Sequence, residues 1–298
     1  MGRRRAIKGL VTALLTPFDG DERVDEESLA DLIRFQVSKG TQNIFACGTT
    51  GLGPLLSVEE RRRVAEISIE EAGKYIPIIV QVGAADTATS VALAKHAEKS
   101  GADAIASLTP YYYKPGDEAI TKHFERIAKA VSVPLFAYNI PQFTGNNLSV
   151  SIVGSMARKG TIVGIKDSSR DFLQILGIIG AVPDGFTVMN GTEEYALFAM
   201  MSGADGVISG AANAFPEVFR SLVDAYDSES YLNAKKLQKK IVDVKEAIGP
   251  RAIAGYYEIL RGRGIDCGGP RGPLTPLSKE ERIRLRAGLS RLDVPLNA

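Results

Sequence analysis

The feature that most constrains the fold is a repeated alternation of short apolar runs with longer amphipathic segments. Turn-forming residues bound each apolar run, which is typical of buried strands of a parallel sheet. We predict eight strands, over residues 10–13, 43–46, 78–81, 104–107, 135–138, 162–166, 186–189 and 206–209. The intervening segments predict eight helices, over residues 26–38, 57–72, 87–99, 118–130, 150–158, 172–179, 193–201 and 216–226.

One junction between helix and strand recurs three times. Gly40, Gly101 and Gly203 each follow a predicted helix and precede a polar turn and a buried strand. A glycine in this position ends a helix in the left-handed conformation. Strictly alternating strands and helices build parallel sheets, and eight such units suit a closed (β/α)8 TIM barrel over residues 1–229. The absence of a Gly-rich dinucleotide fingerprint after the first strand argues against an open, doubly wound sheet.

The pattern changes after the eighth helix. Residues 230–298 predict helices alone, over 232–248, 252–262 and 279–292. This segment is too short for an independent domain. We therefore expect an α/β barrel with a C-terminal helical extension, which packs on the barrel or on a partner subunit.

Composition narrows the classes of partner. The 298 residues carry a net charge of +1, so no global field recruits nucleic acid or an anionic membrane. No apolar run is long enough to span a bilayer. Cys47 and Cys267 lie far apart in sequence, as expected for free thiols in a reducing cytoplasm. The two histidines, His96 and His123, both fall in predicted helices, so we predict no metal and no other cofactor.

Active sites of barrels lie where strands pass into the loops that follow them. Lys166 ends the otherwise apolar sixth strand. In a poorly solvated mouth, desolvation disfavours the ammonium form and frees the amine to attack a carbonyl. The alternative is a lysine that reaches from a strand end to bulk water. Position alone supports both interpretations equally.

Three further features fall at the same end of neighbouring strands. Tyr138 ends the fifth strand, where its hydroxyl could transfer protons or could be a hydrogen-bonded core group. Residues 48–51, Gly-Thr-Thr-Gly, could hold a carboxylate through hydroxyls and backbone N–H groups, or could be an ordinary turn. Three tyrosines at 111–113 follow the fourth strand and could be site residues or an interface patch. Together these features predict a small-molecule site.

Several motifs in this order give the chain a specific resemblance to a known family. It resembles the dihydrodipicolinate synthase and N-acetylneuraminate lyase superfamily, the class I pyruvate-dependent aldolases, along nearly its whole length. The motifs are Gly48-Thr49-Thr50-Gly51, Thr109-Pro110-Tyr111-Tyr112, Tyr138-Asn139-Ile140-Pro141, Gly164-Ile165-Lys166-Asp167, Gly206-Val207-Ile208-Ser209 and the tail from Gly269-Pro270-Arg271 through Pro276-Leu277.

The resemblance implies catalytic roles. Lys166 would form an imine with the keto carbon of pyruvate, and Tyr138 would relay protons. Thr49 and Tyr112 would complete the hydroxyl relay, and in many members this second tyrosine crosses a tight dimer interface. The family is commonly a homotetramer built as a dimer of dimers.

The same resemblance implies substrate contacts. Thr50, in the loop that begins at Gly48, would bind the pyruvate carboxylate. Gly191 and Ile208 match positions that line the site. No nucleic acid or membrane partner is implied.

The substrate is harder to predict than the chemistry. Synthases of the family usually carry Arg where this chain has Phe143, and a phenyl ring cannot make that arginine's bidentate contact with the carboxylate of the aldehyde substrate. The Thr-Thr loop and the three tyrosines look more like archaeal 2-keto-3-deoxygluconate aldolases. We therefore expect a cytoplasmic aldolase for 2-keto-3-deoxy sugar acids. Three alternatives stay open: a dihydrodipicolinate synthase, a dehydratase on the same scaffold, and a catalytically silent member that binds a keto acid.

Overall fold

The computed structural model describes residues 6–295. The predicted barrel range 1–229 and the predicted extension 230–298 include residues 1–5 and 296–298, which lie outside the described residues. The prediction of a TIM barrel is confirmed, because eight parallel strands pair in sequence order and β1 pairs with β8 to close the barrel. The strands are β1 (Gly9–Ala13), β2 (Asn43–Ala46), β3 (Ile78–Gln81), β4 (Ala104–Leu108), β5 (Leu135–Asn139), β6 (Gly164–Asp167), β7 (Thr187–Asn190) and β8 (Gly206–Ser209).

Helices lie between the strands and after the last one. They are α1 (Glu26–Ser38), α2 (Val58–Ala72), α3 (Thr87–Ser100), α4 (Asp117–Ala128), α5 (Pro141–Thr144), α6 (Val150–Arg158), α7 (Phe172–Ala181), α8 (Ala196–Met201), α9 (Pro216–Asp227), α10 (Tyr231–Ile248), α11 (Ala252–Gly262) and α12 (Lys279–Leu289). The short α5 was not predicted from the sequence; a proline at its first position starts it, and left-handed Gly145 ends it. Among the described residues, no helix is long and apolar enough to cross a membrane.

Two apolar cores hold the barrel together. The larger core fills the space between strands and helices. The smaller core lies inside the barrel and includes Phe45, Phe136, Met189 and Ile208, which come from four different strands. Strand residues alternate between these two cores, as a closed parallel barrel requires. Tyr138 belongs to the inner core, which places its side chain inside the barrel.

Local sequence signals set the ends of several helices. Ser57 and Glu60 form a capping box at the start of α2. Gly40, Gly101 and Gly203 all have left-handed backbones, with φ of 87°, 96° and 108°. The recurring glycine therefore does end a helix and turn the chain into the next strand.

The predicted helix over 193–201 is divided in two. Residues Glu193–Tyr195 form a single 3₁₀ turn, and α8 starts only at Ala196. The side-chain amide of Gln238, from α10, accepts a hydrogen bond from the Leu197 N–H at 2.8 Å and donates to the Glu193 carbonyl at 2.9 Å. Both backbone groups would otherwise bond to each other in a continuous helix, so the inserted amide interrupts it.

The C-terminal extension packs on the barrel and reaches its mouth. Helix α10 lies against α9, and α12 lies against α10. Buried Arg263 at the end of α11 forms a bidentate ion pair with Glu217 of α9. The loop after α11 returns to the segment between β1 and α1, since the Cys267 carbonyl accepts a hydrogen bond from the Phe18 N–H at 3.2 Å.

Candidate active site

Lys166 and Tyr138 lie side by side at the ends of β6 and β5, which pair in register at these two residues. The lysine is only 5% exposed. Its Nζ lies 4.1 Å from the centroid of the Tyr138 ring and 4.7 Å from that of Phe45. The two rings meet edge to face at 5.6 Å and fix the position of the amine between them. The lysine thus points into the barrel mouth and not into bulk water.

The hydroxyl of Tyr138 has a defined partner. It lies 3.1 Å from the Thr49 Oγ1, and either oxygen can donate. Thr49 belongs to a tight loop whose ends, Cys47 and Leu52, both have left-handed backbones, with φ of 58° and 54°. Such conformations are costly for residues other than glycine and occur where a site demands them. The Thr16 hydroxyl donates to the Gly51 carbonyl at 2.7 Å and holds the loop in place.

A cavity of about 520 Å³ opens above these groups and gathers most of the predicted site residues. Its lining includes Lys166, Tyr138, Thr49, Thr50, Gly191, Ile208 and Phe143. Gly191 is required by space, because a Cβ there would lie 2.0 Å from the Ser168 Oγ. Gly48 does not line the cavity; it lies buried against the Phe45 ring, which leaves no room for a Cβ. Gly48 therefore contributes to the site by allowing the loop to pack closely against the Phe45 ring.

Tyr112 stands apart from the other predicted residues. Its side chain is 87% exposed and does not line the cavity. The ring packs edge to face on that of Tyr113 at 5.1 Å, and the backbone is left-handed with φ of 78°. Within one chain, the structure does not bring Tyr112 to Tyr138.

A buried ion pair in the cavity wall has no local signal in the sequence. Glu193 and Lys245 meet at 2.6 Å. Burial alone raises the pKa of the Glu193 carboxyl, but the charge of Lys245 and hydrogen bonds from Lys245, the Ser209 hydroxyl and the Ala211 N–H outweigh burial and hold the pKa below its ordinary value. Burial lowers the pKa of Lys245, but the charge of Glu193 and the hydrogen bond to it, with contributions from Tyr256 and Glu194, together outweigh burial and raise the pKa. Both groups are therefore charged at neutral pH.

A second group missed from the sequence surrounds Asp167, the residue after the lysine. Its carboxylate is fully buried. It accepts hydrogen bonds from the Asn139 and Gln174 amides, each at 2.9 Å, and from the Ser169 hydroxyl at 2.6 Å. These bonds join the ends of β5 and β6 to the start of α7, and so fix the strand ends that carry Tyr138 and Lys166.

The extension supplies the far wall of the cavity. Arg251, Tyr256 and Thr275 line it, together with Ala252, Ile253, Ala254 and Leu274. Burial raises the pKa of the Tyr256 hydroxyl, which is therefore protonated at neutral pH. A sequence signal for these contacts is lacking, because they depend on how the last helices fold back over the barrel.

The arrangement is suited to carbonyl chemistry. It combines a buried amine, a tyrosine hydroxyl that can pass protons to a threonine, and a hydroxyl-rich loop for a carboxylate. Over residues 6–295, no three His, Cys, Asp or Glu side chains lie together in a way that could hold a metal ion.

Comparisons with known proteins identify the family of this chain. The Dihydrodipicolinate synthetase family model matches residues 6–292. A 4-hydroxy-tetrahydrodipicolinate synthase from Chlorobium limicola is 38% identical over 302 residues, covering 97% of this chain and 98% of the relative.

Solved structures of similar proteins match this chain over nearly its whole length. The chloride-inhibited dihydrodipicolinate synthase from Acinetobacter baumannii, complexed with pyruvate, is 36% identical with a TM-score of 0.92, covering 97% of this chain and 100% of that one. KD(P)GA from T. tenax is 32% identical with a TM-score of 0.88, covering 95% and 98% of the two chains. Since the family model spans nearly all of the described residues and the relatives match from end to end, this chain belongs to the dihydrodipicolinate synthetase family.

Proposed function

We propose that the protein is a lyase that holds pyruvate as a Schiff base on Lys166 and makes or breaks a carbon–carbon bond between pyruvate and an aldehyde. The observation that carries the proposal is the buried Lys166 amine, held over the rings of Tyr138 and Phe45 at the base of the cavity. The Thr49–Tyr138 hydroxyl pair beside it supplies the proton relay that imine formation needs.

The steps follow from these positions. The neutral amine of Lys166 attacks the keto carbon of a 2-keto acid, and water leaves as the imine forms. The carboxylate rests on Thr50 and on backbone N–H groups of the loop from Gly48. Tyr138 takes the proton of the C4 hydroxyl, the C3–C4 bond breaks as its electron pair moves into the imine, and an aldehyde leaves. Protonation at C3 and hydrolysis then release pyruvate and free Lys166.

The first candidate substrate is a 2-keto-3-deoxy sugar acid. The cavity presents Phe143, 69% exposed, where many synthases carry an arginine for the aldehyde's carboxylate. Structural similarity to KD(P)GA from T. tenax supports this candidate.

The second candidate is the synthase reaction, in which pyruvate condenses with aspartate semialdehyde. The relatives favour it: proteins named 4-hydroxy-tetrahydrodipicolinate synthase are 38% identical over nearly the whole chain and 41% identical over 237 residues, against 32% for KD(P)GA.

A product assay separates the two candidates. Purified protein is incubated either with 2-keto-3-deoxygluconate, with pyruvate release followed, or with pyruvate and aspartate semialdehyde, with consumption of the aldehyde followed. We expect turnover in the first assay and its loss on Lys166→Ala. Turnover only in the second assay identifies a synthase, and release of water without C–C cleavage identifies a dehydratase. Activity retained by Lys166→Ala contradicts the Schiff-base scheme.

The relay from Thr49 to Tyr112 requires a second subunit. Because Tyr112 is exposed and strained in one chain, we propose that it enters the site of a partner across a dimer interface, within a homotetramer. A Tyr112→Phe variant should lose activity without losing its own fold. We also propose a cytoplasmic location, supported by the free thiols of Cys47 and Cys267.

A further inference from the structure

The loop between β6 and α7 carries an arginine at the rim of the cavity. Arg170 is exposed and lines the same cavity as buried Lys166, four residues earlier in the chain. The lysine therefore lies at the base and the arginine at the opening. A substrate bound covalently at Lys166 would extend toward the opening.

The backbone at Arg170 is held rigidly in an unusual conformation. Its φ is 64°, in the left-handed region that favours glycine. On one side, Ser169 donates its N–H and hydroxyl to the buried Asp167 carboxylate at 3.1 and 2.6 Å. On the other side, Asp171 caps α7 by accepting from the Gln174 N–H at 3.1 Å. The loop thus presents the arginine from a fixed position.

Apart from Lys166 at the base, Arg170 is the one Lys or Arg side chain lining the cavity that has no ion-pair partner among residues 6–295. Lys245 is paired with Glu193 at 2.6 Å, and Arg251 is paired with Glu281 at 2.6 Å. Arg170 forms no ion pair or side-chain hydrogen bond with residues 6–295. The exposed carboxylate of Glu194 lines the cavity too, but it does not pair with Arg170.

We propose that Arg170 binds an anionic group, a carboxylate or a phosphate, at the end of the aldehyde substrate that lies away from its carbonyl carbon. This specificity rests on the proposed lyase function. The planar guanidinium offers paired N–H donors that match either group. Phe143 of α5, which lines the same cavity, cannot provide such a contact, so discrimination between charged and neutral aldehydes falls to the loop after β6.

Steady-state condensation assays with saturating pyruvate test the proposal. The aldehyde probes are glyceraldehyde, glyceraldehyde 3-phosphate and aspartate semialdehyde. The principal variant is Arg170→Gly, because glycine accepts a φ of 64° and leaves the loop unstrained. Arg170→Lys keeps the charge without the paired donors. Arg284→Gln, an exposed arginine outside the cavity, is the matched control.

We expect Arg170→Gly to raise KM for at least one anionic aldehyde by roughly ten- to a hundredfold, as loss of a charged hydrogen-bond pair predicts. Arg170→Lys should fall between Arg170→Gly and the native chain. The KM for glyceraldehyde should change less than twofold, as should all values for the control. An effect on the phosphate probe alone identifies a phosphorylated substrate, and an effect on aspartate semialdehyde alone identifies a carboxylate.

Two results would overturn the inference: an unchanged KM for both anionic probes in Arg170→Gly, or an equal loss for all three aldehydes. Failure of the lyase function is separately visible. Reductive trapping with pyruvate and borohydride should label native protein and Arg170→Gly equally, and a lack of labelling in both refutes the Schiff-base scheme itself.

Discussion

The Tyr138 side chain has two separable parts. Its ring lies 4.1 Å from the Lys166 amine, while its hydroxyl lies 3.1 Å from the Thr49 Oγ1. The ring orients the amine, and the hydroxyl transfers protons. A phenylalanine in this position keeps the first role and removes the second.

Tyr138→Phe should therefore lower kcat on the order of a hundredfold, while trapping of pyruvate on Lys166 still goes to completion, although more slowly. Rates of pyruvate release and of borohydride trapping are the two readouts. Tyr75→Phe, at a tyrosine 70% exposed, is the control and should match the native protein. A kcat within threefold of native for Tyr138→Phe would assign proton transfer to another group.

Residues at strand ends could be predicted from the sequence, whereas their long-range partners could not. Lys166 and Tyr138 close apolar runs, so their position at the barrel mouth follows from the fold, whereas position alone does not decide whether the lysine points into the site or to bulk water. Glu193 and Lys245 are separated by more than fifty residues, and their pairing depends on how α10 packs. Arg170 does carry a local signal, because it is a cation among turn-forming residues just after the lysine.

Gly101 shows how one residue ends an element. Its backbone φ is 96°, and a Cβ there would have only one near neighbour, an Ile69 methyl at 3.7 Å. Glycine is therefore favoured at this turn because of its left-handed backbone, and not because a larger side chain would lack space. Gly180, inside α7, differs because a Cβ there meets nothing within 4 Å and its backbone is not left-handed.

Gly101→Ala should lower the free energy of unfolding by about 1 kcal/mol, because alanine is strained in the left-handed region. Gly180→Ala, the matched control, should raise it by about 0.5 kcal/mol through better helix propensity. Urea denaturation of both variants measures the difference. Equal effects of the same sign would contradict the account of these turns.

His123 links α4 to the barrel and makes that packing sensitive to pH. Its Nδ1 lies 2.9 Å from the Thr87 hydroxyl, and its Nε2 lies 3.3 Å from the Ser107 hydroxyl. Burial lowers the pKa of the imidazole from 6.5 to about 4, with a smaller lowering by Arg126 and an opposing effect from Asp86. The folded state therefore keeps His123 neutral at a pH where the unfolded chain is protonated.

Because the unfolded chain binds a proton below pH 6.5 and the folded chain does not until about pH 4, stability decreases as the pH is lowered through that window. The loss between pH 6.5 and 5 should be about 2 kcal/mol in the native protein. His123→Gln should remove this slope, and His96→Gln, at the partly exposed histidine, should keep it. Unfolding free energies measured at several pH values test this prediction. An unchanged pH dependence in His123→Gln would contradict the role of His123.

The types of the elements follow from the hydrophobic periodicity of the sequence and from its turn-forming residues. The lengths of the elements depend partly on tertiary contacts. All eight strands and most helices lie where the pattern predicts them. The predicted start of α8 at residue 193 is wrong, because the Gln238 side chain binds the two backbone groups that would bond to each other in a continuous helix. No local sequence pattern indicates this contact. The short α5 was missed because four residues are too few to show a helical period.

At the scale of the whole molecule, a buried ion pair in the cavity wall joins the barrel to its extension. Glu193 binds the loop after β8 through Ser209 at 2.6 Å and the Ala211 N–H at 2.9 Å, and it binds α10 through Lys245. The pair forms part of the cavity wall, so the extension is part of the site. The sequence predicted an extension but not that it completes the cavity.

Lys245→Met should destabilise the protein by about 3 kcal/mol, because it leaves the buried Glu193 carboxylate without its counter-charge. The double variant Glu193→Gln with Lys245→Met should recover part of that loss. Lys239→Met, which removes an exposed pair with Asp243 on the same helix, should cost less than about 0.5 kcal/mol. Denaturant unfolding compares the three variants, and equal losses for Lys245→Met and Lys239→Met would contradict this role.

The central claim, that Lys166 forms a Schiff base with pyruvate, is tested most directly by intact-protein mass after incubation with pyruvate and borohydride, followed by peptide mapping. The account predicts one reduced three-carbon adduct per chain, located on Lys166 and absent from Lys166→Ala. An adduct on another lysine, or none on the folded protein, would contradict the site and the mechanism built on it.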